Sequence, residues 1–511
     1  MTPWVPNVRW LVPLAAVALA LLAPAAARSQ STIYSGTVTS GGADWKTFTF
    51  TVEQPGAIAA VLDWDNAAAN LNLNLYKPGG TLVASASSAT ARPEKISFNA
   101  TVTGTWKLGV KAKAGGTANF TLSVTSPDPL PPPPPPPPSE IGVAADAGIS
   151  QFTTTWGANV GDYDGDGRPD FVLVRHSRVS QIWHNDGNGH FTEADAGVLA
   201  KDDRHGCDWA DVNHDGLLDL FCSHGAQHGT GTGPNELWLQ GPAGQFQNHA
   251  HDYGVEDVYG RGRHVTFVDV NHDVYPDLYI GNDSPRPDGI ASPNRLFINQ
   301  AGTSFRDATE YGLDSEVGGY CAHAVDFNGD GWQDLVVCGN ASIHLYRNDA
   351  GTGFTDVTKS LGLAGFWRDT EMADFNGDGL LDVAMINIKS VVVRLRKPDG
   401  TFATTPIFKR TLVAGRALAV GDINRDGHPD LYVLQGASSS VPNNPDYLLA
   451  NDGLGIATSF TDVSIPETSR GRADDVTPID YDGTGTTDFI VLNGADLQKD
   501  SSGPIQLISF P

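Results

Sequence analysis

From residue 31 to about 126, apolar and polar side chains alternate, as in Phe48-Thr49-Phe50-Thr51-Val52 and Leu71-Asn72-Leu73-Asn74-Leu75. A period of two places one face of each extended segment in a core and the other in water, so this stretch predicts half-buried strands and a small all-β sandwich. Eight consecutive prolines follow, Pro131 to Pro138. They cannot donate ladder hydrogen bonds, and residues 127–140 are expected to form an extended polyproline linker of about 3.1 Å per residue. From 141 to 511 the pattern changes to short apolar runs set between acidic, glycine-bearing loops.

Those loops share one spacing and recur every 48 to 58 residues. The first, DYDGDGRPD, offers Asp162, Asp164, Asp166 and Asp170 with the Arg168 carbonyl. The second offers Asp211, Asn213, Asp215 and Asp219 with Leu217, the third Asp269, Asn271, Asp273 and Asp277 with Tyr275, and the fourth Asp326, Asn328, Asp330 and Asp334 with Trp332. The fifth offers Asp374, Asn376, Asp378 and Asp382 with Leu380, the sixth Asp422, Asn424, Asp426 and Asp430 with His428, and the seventh Asp480, Asp482 and Asp488. Oxygens at positions 1, 3, 5 and 9, with the carbonyl of position 7, converge when glycine at position 6 turns the backbone sharply. A hard cation taking six to eight oxygens at roughly 2.3–2.6 Å suits that cage, which favours Ca²⁺ over Mg²⁺. Val274 replaces the glycine of the third loop and Thr484 the central Asp of the seventh, so five to seven Ca²⁺ sites are expected. Without the ion the carboxylates repel one another, and calcium should therefore stabilise the fold by linkage. Solvated turns are the alternative. An EF-hand does not fit, because no bidentate Glu stands at position 12 and strands rather than helices flank the loops.

Seven units of this length, each with about four strand-like runs, suit the blades of a β-propeller. The unit ADFNGDGLLDVAMIN (373–387), the run Leu296-Phe297-Ile298-Asn299 and FTDVTKSLGL (354–363) resemble the FG-GAP/VCBS repeat family of integrin α-chain propellers and many secreted bacterial proteins. The resemblance implies an all-β, seven-bladed, calcium-binding β-propeller, a fold shared by adhesins, lectins and a few lyases. After the seventh loop only two strand-like runs remain, and IGVAADAGI (141–149) matches the pattern of FTEADAGVL (191–199). The 141–149 strand is therefore expected to complete the last blade and close the ring. The 31–126 region, through Asp44-Trp45-Lys46-Thr47-Phe48, LNLNLYKPGG (71–80) and Gly104-Thr105-Trp106-Lys107-Leu108, resembles the pre-peptidase C-terminal domain family. Such domains accompany secreted enzymes and assist adhesion or secretion. Asn70, Asn72 and Asn74 stand where a metal would want carboxylates, so no metal site is carried over, and neither HExxH nor GxSxG occurs.

The remaining totals narrow the setting. Residues 1–27, with Arg9 and an apolar run from Leu11 to Leu22, read as a signal peptide cleaved after Ala27, since twelve residues span roughly 18 Å as a helix against a hydrocarbon core of about 30 Å. The formal charge of −26, from 33 basic and 59 acidic residues, argues against nucleic acid or an anionic membrane as partner. Each cysteine pair brackets one acidic loop, which predicts disulfides Cys207–Cys222 and Cys321–Cys338 in an oxidising compartment, with buried thiols as the alternative. His249 and His251 have the spacing of one strand face and raise a possible transition-metal site. Asn99, Asn119, Asn282 and Asn340 head Asn-x-Ser/Thr sequons.

Each acidic loop is entered by a strand, so the residue six before its first Asp lies at the other end, about 20 Å away. These residues are Trp156, His205, Arg263, Tyr320, Arg368, Arg416 and Asp474. The first six compose a candidate ring for an acidic sugar or a carboxylate-bearing protein segment, with local acids such as Asp208, Asp369 and Glu371 as the arginines' alternative partners. The long connections 223–235, 283–294 and 435–446 emerge on that face. The expectation is a secreted, periplasmic or cell-surface monomer that binds an extracellular glycan or protein, without catalytic residues and without a transmembrane segment in the mature chain. The alternative is a lyase acting on acidic glycans.

Overall fold

The computed structural model describes residues 29–127 and 142–510, apart from 41–44, 53–55, 88–92, 144–146, 150–151, 154, 188, 195–198, 226–229, 243, 314–317, 340–341, 437–443, 457–458, 466–474 and 495–502. The segment expected as a signal peptide, the proline run and Asp474 lie outside the described residues. The chain divides into two compact units, one within Val17–Pro134 and one within Pro135–Pro511, and every described sheet is antiparallel. Among the described residues, no helix is long and apolar enough to cross a membrane.

The smaller unit holds two four-stranded sheets. One orders Ser29–Thr39, Thr117–Pro127, Gly56–Trp64 and Glu94–Ala100; the other orders Lys46–Val52, Gly104–Ala114, Asn70–Tyr76 and Leu82–Ala86. In Asn70–Tyr76 every second residue is buried, which puts Leu71, Leu73 and Leu75 into a shared core with Ile58, Leu62, Trp106 and Phe120. Period two in the sequence has become a one-sided sheet, as its physics requires.

Among the described residues, the larger unit contains seven sheets of four or five strands, an arrangement consistent with propeller blades. In the first, Gly157–Gly161 leads through the acidic loop into Asp170–Val174, followed by Gln181–Asn185 and Phe191–Ala194. The second strand of nearly every sheet is buried along its whole length, as in Asp334–Cys338 and Asp488–Leu492, because sheets cover both of its faces. Apolar clusters lie between each sheet and the next. Another joins the last to the first, packing Phe171, Leu173 and Trp183 against Ile479, Ile490 and Leu507. The last sheet, Asp475–Ile479, Asp488–Leu492 and Gly503–Ser509, receives two short pieces from the start of this unit: Gly142–Val143 pairs with Ile508 and Ser509, and Phe152–Thr153 with Pro504 and Gly503.

Polar side chains staple the sheets as well. Asn299, Asn348 and Asn451, each ending a third strand, donate Nδ2–H to the carbonyls of Val212, Val270 and Phe375 in the preceding sheet's acidic loop, all at 2.9 Å. Asn185 of the first sheet does the same to Tyr481 of the last loop at 2.7 Å. Both cysteine pairs are bonded, each between residues directly opposite on the first and second strands of one sheet.

Candidate metal loops and the facing ring of side chains

In the first six loops the same hydrogen bonds recur. The Asp at position 1 accepts the amides of positions 5 and 6, at 3.0 and 2.9 Å for Asp162, and position 5 accepts the amide of position 7. Position 6 has positive φ throughout, from 71° to 90° in these six loops. Val274 adopts it too, at 71°, and still donates to Asp269, so the third loop keeps the shape of its neighbours despite a β-branched residue in glycine's conformation.

Position 9 is fully buried in all seven loops. One of its oxygens accepts the amide that ends the third strand, as Asn348 gives to Asp334 at 2.7 Å, and in six loops the other accepts the amide of position 2. Burial, followed by repulsion from the carboxylates at positions 1 and 5, raises Asp219, Asp334 and Asp382 to about 7 and Asp277 to about 8. Buried carboxylates in that condition want a counter-charge. The donor set fits one: ligand atoms of Asp162, Asp164 and Asp170 lie within 4.8 Å of one another, and each amide-bonded oxygen retains a second lone pair. The seventh loop differs. Thr484 cannot hold the position 7 amide and bonds the Thr486 hydroxyl instead, leaving Asp480 Oδ1 and Asp488 Oδ2 buried without hydrogen-bond partners. Those orphaned oxygens also fit a bound cation.

At the other end of the same strands the structure brings the sequence-predicted residues together. Trp156 stacks on His205 with ring centroids 4.2 Å apart, and the Arg263 guanidinium lies 5.7 Å from the Trp156 ring centre and 6.0 Å from that of Tyr320. Burial, then the charge of Arg416, lowers Arg368, which puts these two guanidiniums within each other's field. Pairing register slips by one residue at His205, Arg263 and Arg416, the mark of a β-bulge, which re-aims a side chain. Glycine makes these positions possible: a Cβ on Gly262 would come within 2.6 Å of Ser223, and one on Gly415 within 2.3 Å of the Asn387 carbonyl. The amides of Trp156, Tyr320 and Arg368 instead extend their ladders by one bond, to Val174, Cys338 and Ile386. Residues on the first strands of all seven sheets line one cavity of about 70 Å³. That is far below the roughly 300 Å³ of a small-molecule pocket.

Arg263 pairs with Asp283, at 3.2 Å, and so do Arg261, at 2.6 Å, and the Tyr320 hydroxyl, at 2.9 Å. Asp208 and Asp369 accept backbone amides across the sheets, from Phe267 and Leu418. Arg286, almost fully buried, stitches two of the long connections by donating to Gly231 and Asp288. Asp283 and Arg286 escaped sequence reasoning, although both stand in the long 283–294 connection. The strand-face reading of His249 and His251 is corrected: Ala250–Tyr253 is a short helix ended by Gly254 at φ 75°, and the two rings bond Asp252 and Glu256 separately.

Residues 162–222, 269–337, 326–385 and 374–433 match the FG-GAP-like repeat, and 44–112 match the bacterial pre-peptidase C-terminal domain. This is an FG-GAP repeat chain with a pre-peptidase C-terminal-like domain ahead of its repeats. The chain is similar to cartilage acidic protein 1 of Mus musculus, 30% identical over 225 residues, which are 41% of this chain and 33% of that protein. The Homo sapiens counterpart is 28% identical over 223 residues, 41% of this chain and 32% of the relative. The chain thus spans about a third of the length of the curated relatives it matches. Among solved structures, an Agrocybe aegerita lectin described as recognising non-reducing terminal N-acetylglucosamine aligns with 61% of this chain and 80% of its own, at 19% identity and a TM-score of 0.43.

Proposed function

We propose that this FG-GAP repeat chain is a secreted, calcium-stabilised binding protein. Its repeats form a closed seven-bladed propeller, sealed by the 141–149 segment, and its ligand binds at the mouth opposite the acidic loops. The observation that carries the reading is the placement of Arg263 between two aromatic rings, with His205, Arg263 and Arg416 turned by bulges at equivalent positions. Guanidiniums beside aromatic faces suit a ligand with carboxylates and flat apolar surface, an acidic glycan or an acidic protein segment. Two bonded disulfides and the pre-peptidase C-terminal domain support an extracellular setting. Five to seven Ca²⁺ ions held by the acidic loops would bring the formal charge of −26 toward neutrality and hold the strand ends together. The sandwich would supply attachment to a surface or matrix, with the proline run as spacer.

The test is retention of the calcium-loaded protein on a panel of acidic polysaccharides and acidic proteins, with absorbance of unsaturated products followed in the same samples. Retention without product, lost on joint replacement of Arg368 and Arg416 by Ala with the melting temperature kept, supports the binding reading. Product formation would replace it with the lyase reading. Undiminished retention in the double variant would discard the ring.

A further inference from the structure

Beside the ring, and away from the acidic loops, three side chains converge on one point. The short strand His176–Arg178, between the second and third strands of the first sheet, pairs with the edge of the second sheet and sets His176 opposite Asp203. His176 Nε2 is 2.7 Å from Asp203 Oδ1, His205 Nε2 is 3.4 Å from the same oxygen, and one ligand atom from each of the three residues lies within 4.8 Å of the others. Asp203 is 7% and His205 4% exposed.

The Gly262 carbonyl lies 2.8 Å from His205 Nδ1, and Arg263 Nη1 contacts that nitrogen and donates to the same carbonyl at 3.1 Å. His205 Nε2, on the far side of the ring, is buried without a hydrogen-bond partner and faces Asp203 Oδ1 at 3.4 Å. Trp156 stacked on the ring holds its plane.

We propose that His176, Asp203 and His205 bind a divalent transition-metal ion of the zinc class, with a fourth position left for water or an incoming ligand. Two imidazoles and a carboxylate are the donor set such ions prefer, whereas Ca²⁺ seeks six to eight oxygens. Ligands about 2.0–2.1 Å from a tetrahedral ion sit roughly 3.3–3.4 Å apart, the separation already found between His205 and Asp203. The His176 side is tighter, at 2.7 Å. A carbonyl on the far nitrogen of a ligating imidazole is the usual outer support of such a site. The neighbouring cluster of Asp202, His224 and Glu236 is different. There Arg204 already holds Glu236 through two nitrogens, and the charge is settled within the protein.

The site is tested on the full chain in excess Ca²⁺ by titration with Zn²⁺ in a calorimeter and with Co²⁺ by visible absorption. One equivalent of Zn²⁺ should bind, and Co²⁺ should develop the intense d–d bands of a four-coordinate site. His176→Gln and Asp203→Asn should each weaken binding by more than the roughly 10–100-fold expected when only an outer partner is lost. The double variant His249→Gln/His251→Gln should retain the equivalent. Absence of stoichiometric Zn²⁺ with calcium present, or unchanged affinity in His176→Gln, overturns the proposal. Should Asp203→Asn fail to fold, His176→Gln decides alone, because that side chain is the most exposed of the three. Polymer retention is scored separately, so loss of zinc and loss of the ring reading are distinguishable.

Discussion

The two ends of the seven blade-like sheets are built on opposite plans. At the acidic end the same carboxylates and amides recur with bond lengths that vary by a few tenths of an ångström. At the other end the equivalent residues include Trp156, His205, Arg263, Tyr320, Arg368 and Arg416, with four residue types among six positions. Repetition is what a shared structural task produces, since every sheet needs its first and second strands tied. Variation at equivalent positions is what a single asymmetric ligand would require.

Calcium removal is the strongest way to break this contrast. Each site saturated at a hundredfold over its dissociation constant adds about 2.7 kcal/mol, so chelation should lower the melting temperature by well over 10 °C, with recovery on adding Ca²⁺, in a calorimetric scan. An unchanged melting temperature would make the acidic ends ordinary turns. Next in size, Asp334→Ala removes two buried amide acceptors and a metal donor together, and chemical denaturation should show a loss of about 2–4 kcal/mol. Asp488→Ala, the equivalent change in the irregular seventh loop, should cost less than that; equal losses would mean that all seven loops are filled alike.

A third test concerns Asp446, at the end of a long connection. Burial raises it to about 8, although the Gln435 amide and the Tyr432 hydroxyl bond to it. The folded state therefore holds its proton more tightly than the unfolded one. Its contribution is present in full below about pH 4 and is lost as pH rises toward 8. Asp446→Asn should stabilise the protein at pH 8 by on the order of 1–3 kcal/mol and have little effect near pH 4, as read from denaturation curves at the two values. Smallest in stability, Arg368→Ala with Arg416→Ala should move unfolding by no more than about 0.5 kcal/mol while abolishing retention on the anionic ligand. A large loss of stability there would assign the recognition end a structural task after all.

The acidic end was legible because its information is local: nine consecutive residues hold the carboxylates, the turn residue and the buried anchor. Even Val274, which looked like damage, left the loop's hydrogen bonds in place. The ring was half legible. Its positions follow from counting along a strand, but a bulge exists only relative to a partner strand. His176, Asp203 and Asp283 stayed hidden for the same reason, since each acts on a residue brought near by sheet pairing. His249 and His251 misled because polar and apolar residues alternate over so short a span that a strand and one helical turn look alike, and Gly254 was the available sign of the turn's end.

The asparagine staples have a consequence for how the chain acquires its shape. Asn299 and Asn348 can find their acceptors as soon as the preceding loop has been made, so growth in order suits them. Asn185 bonds to Tyr481, 296 residues downstream. This one bond thus waits for the last loop, and a polypeptide threaded through a narrow export pore would travel nearly its full length before the first sheet could latch to the last.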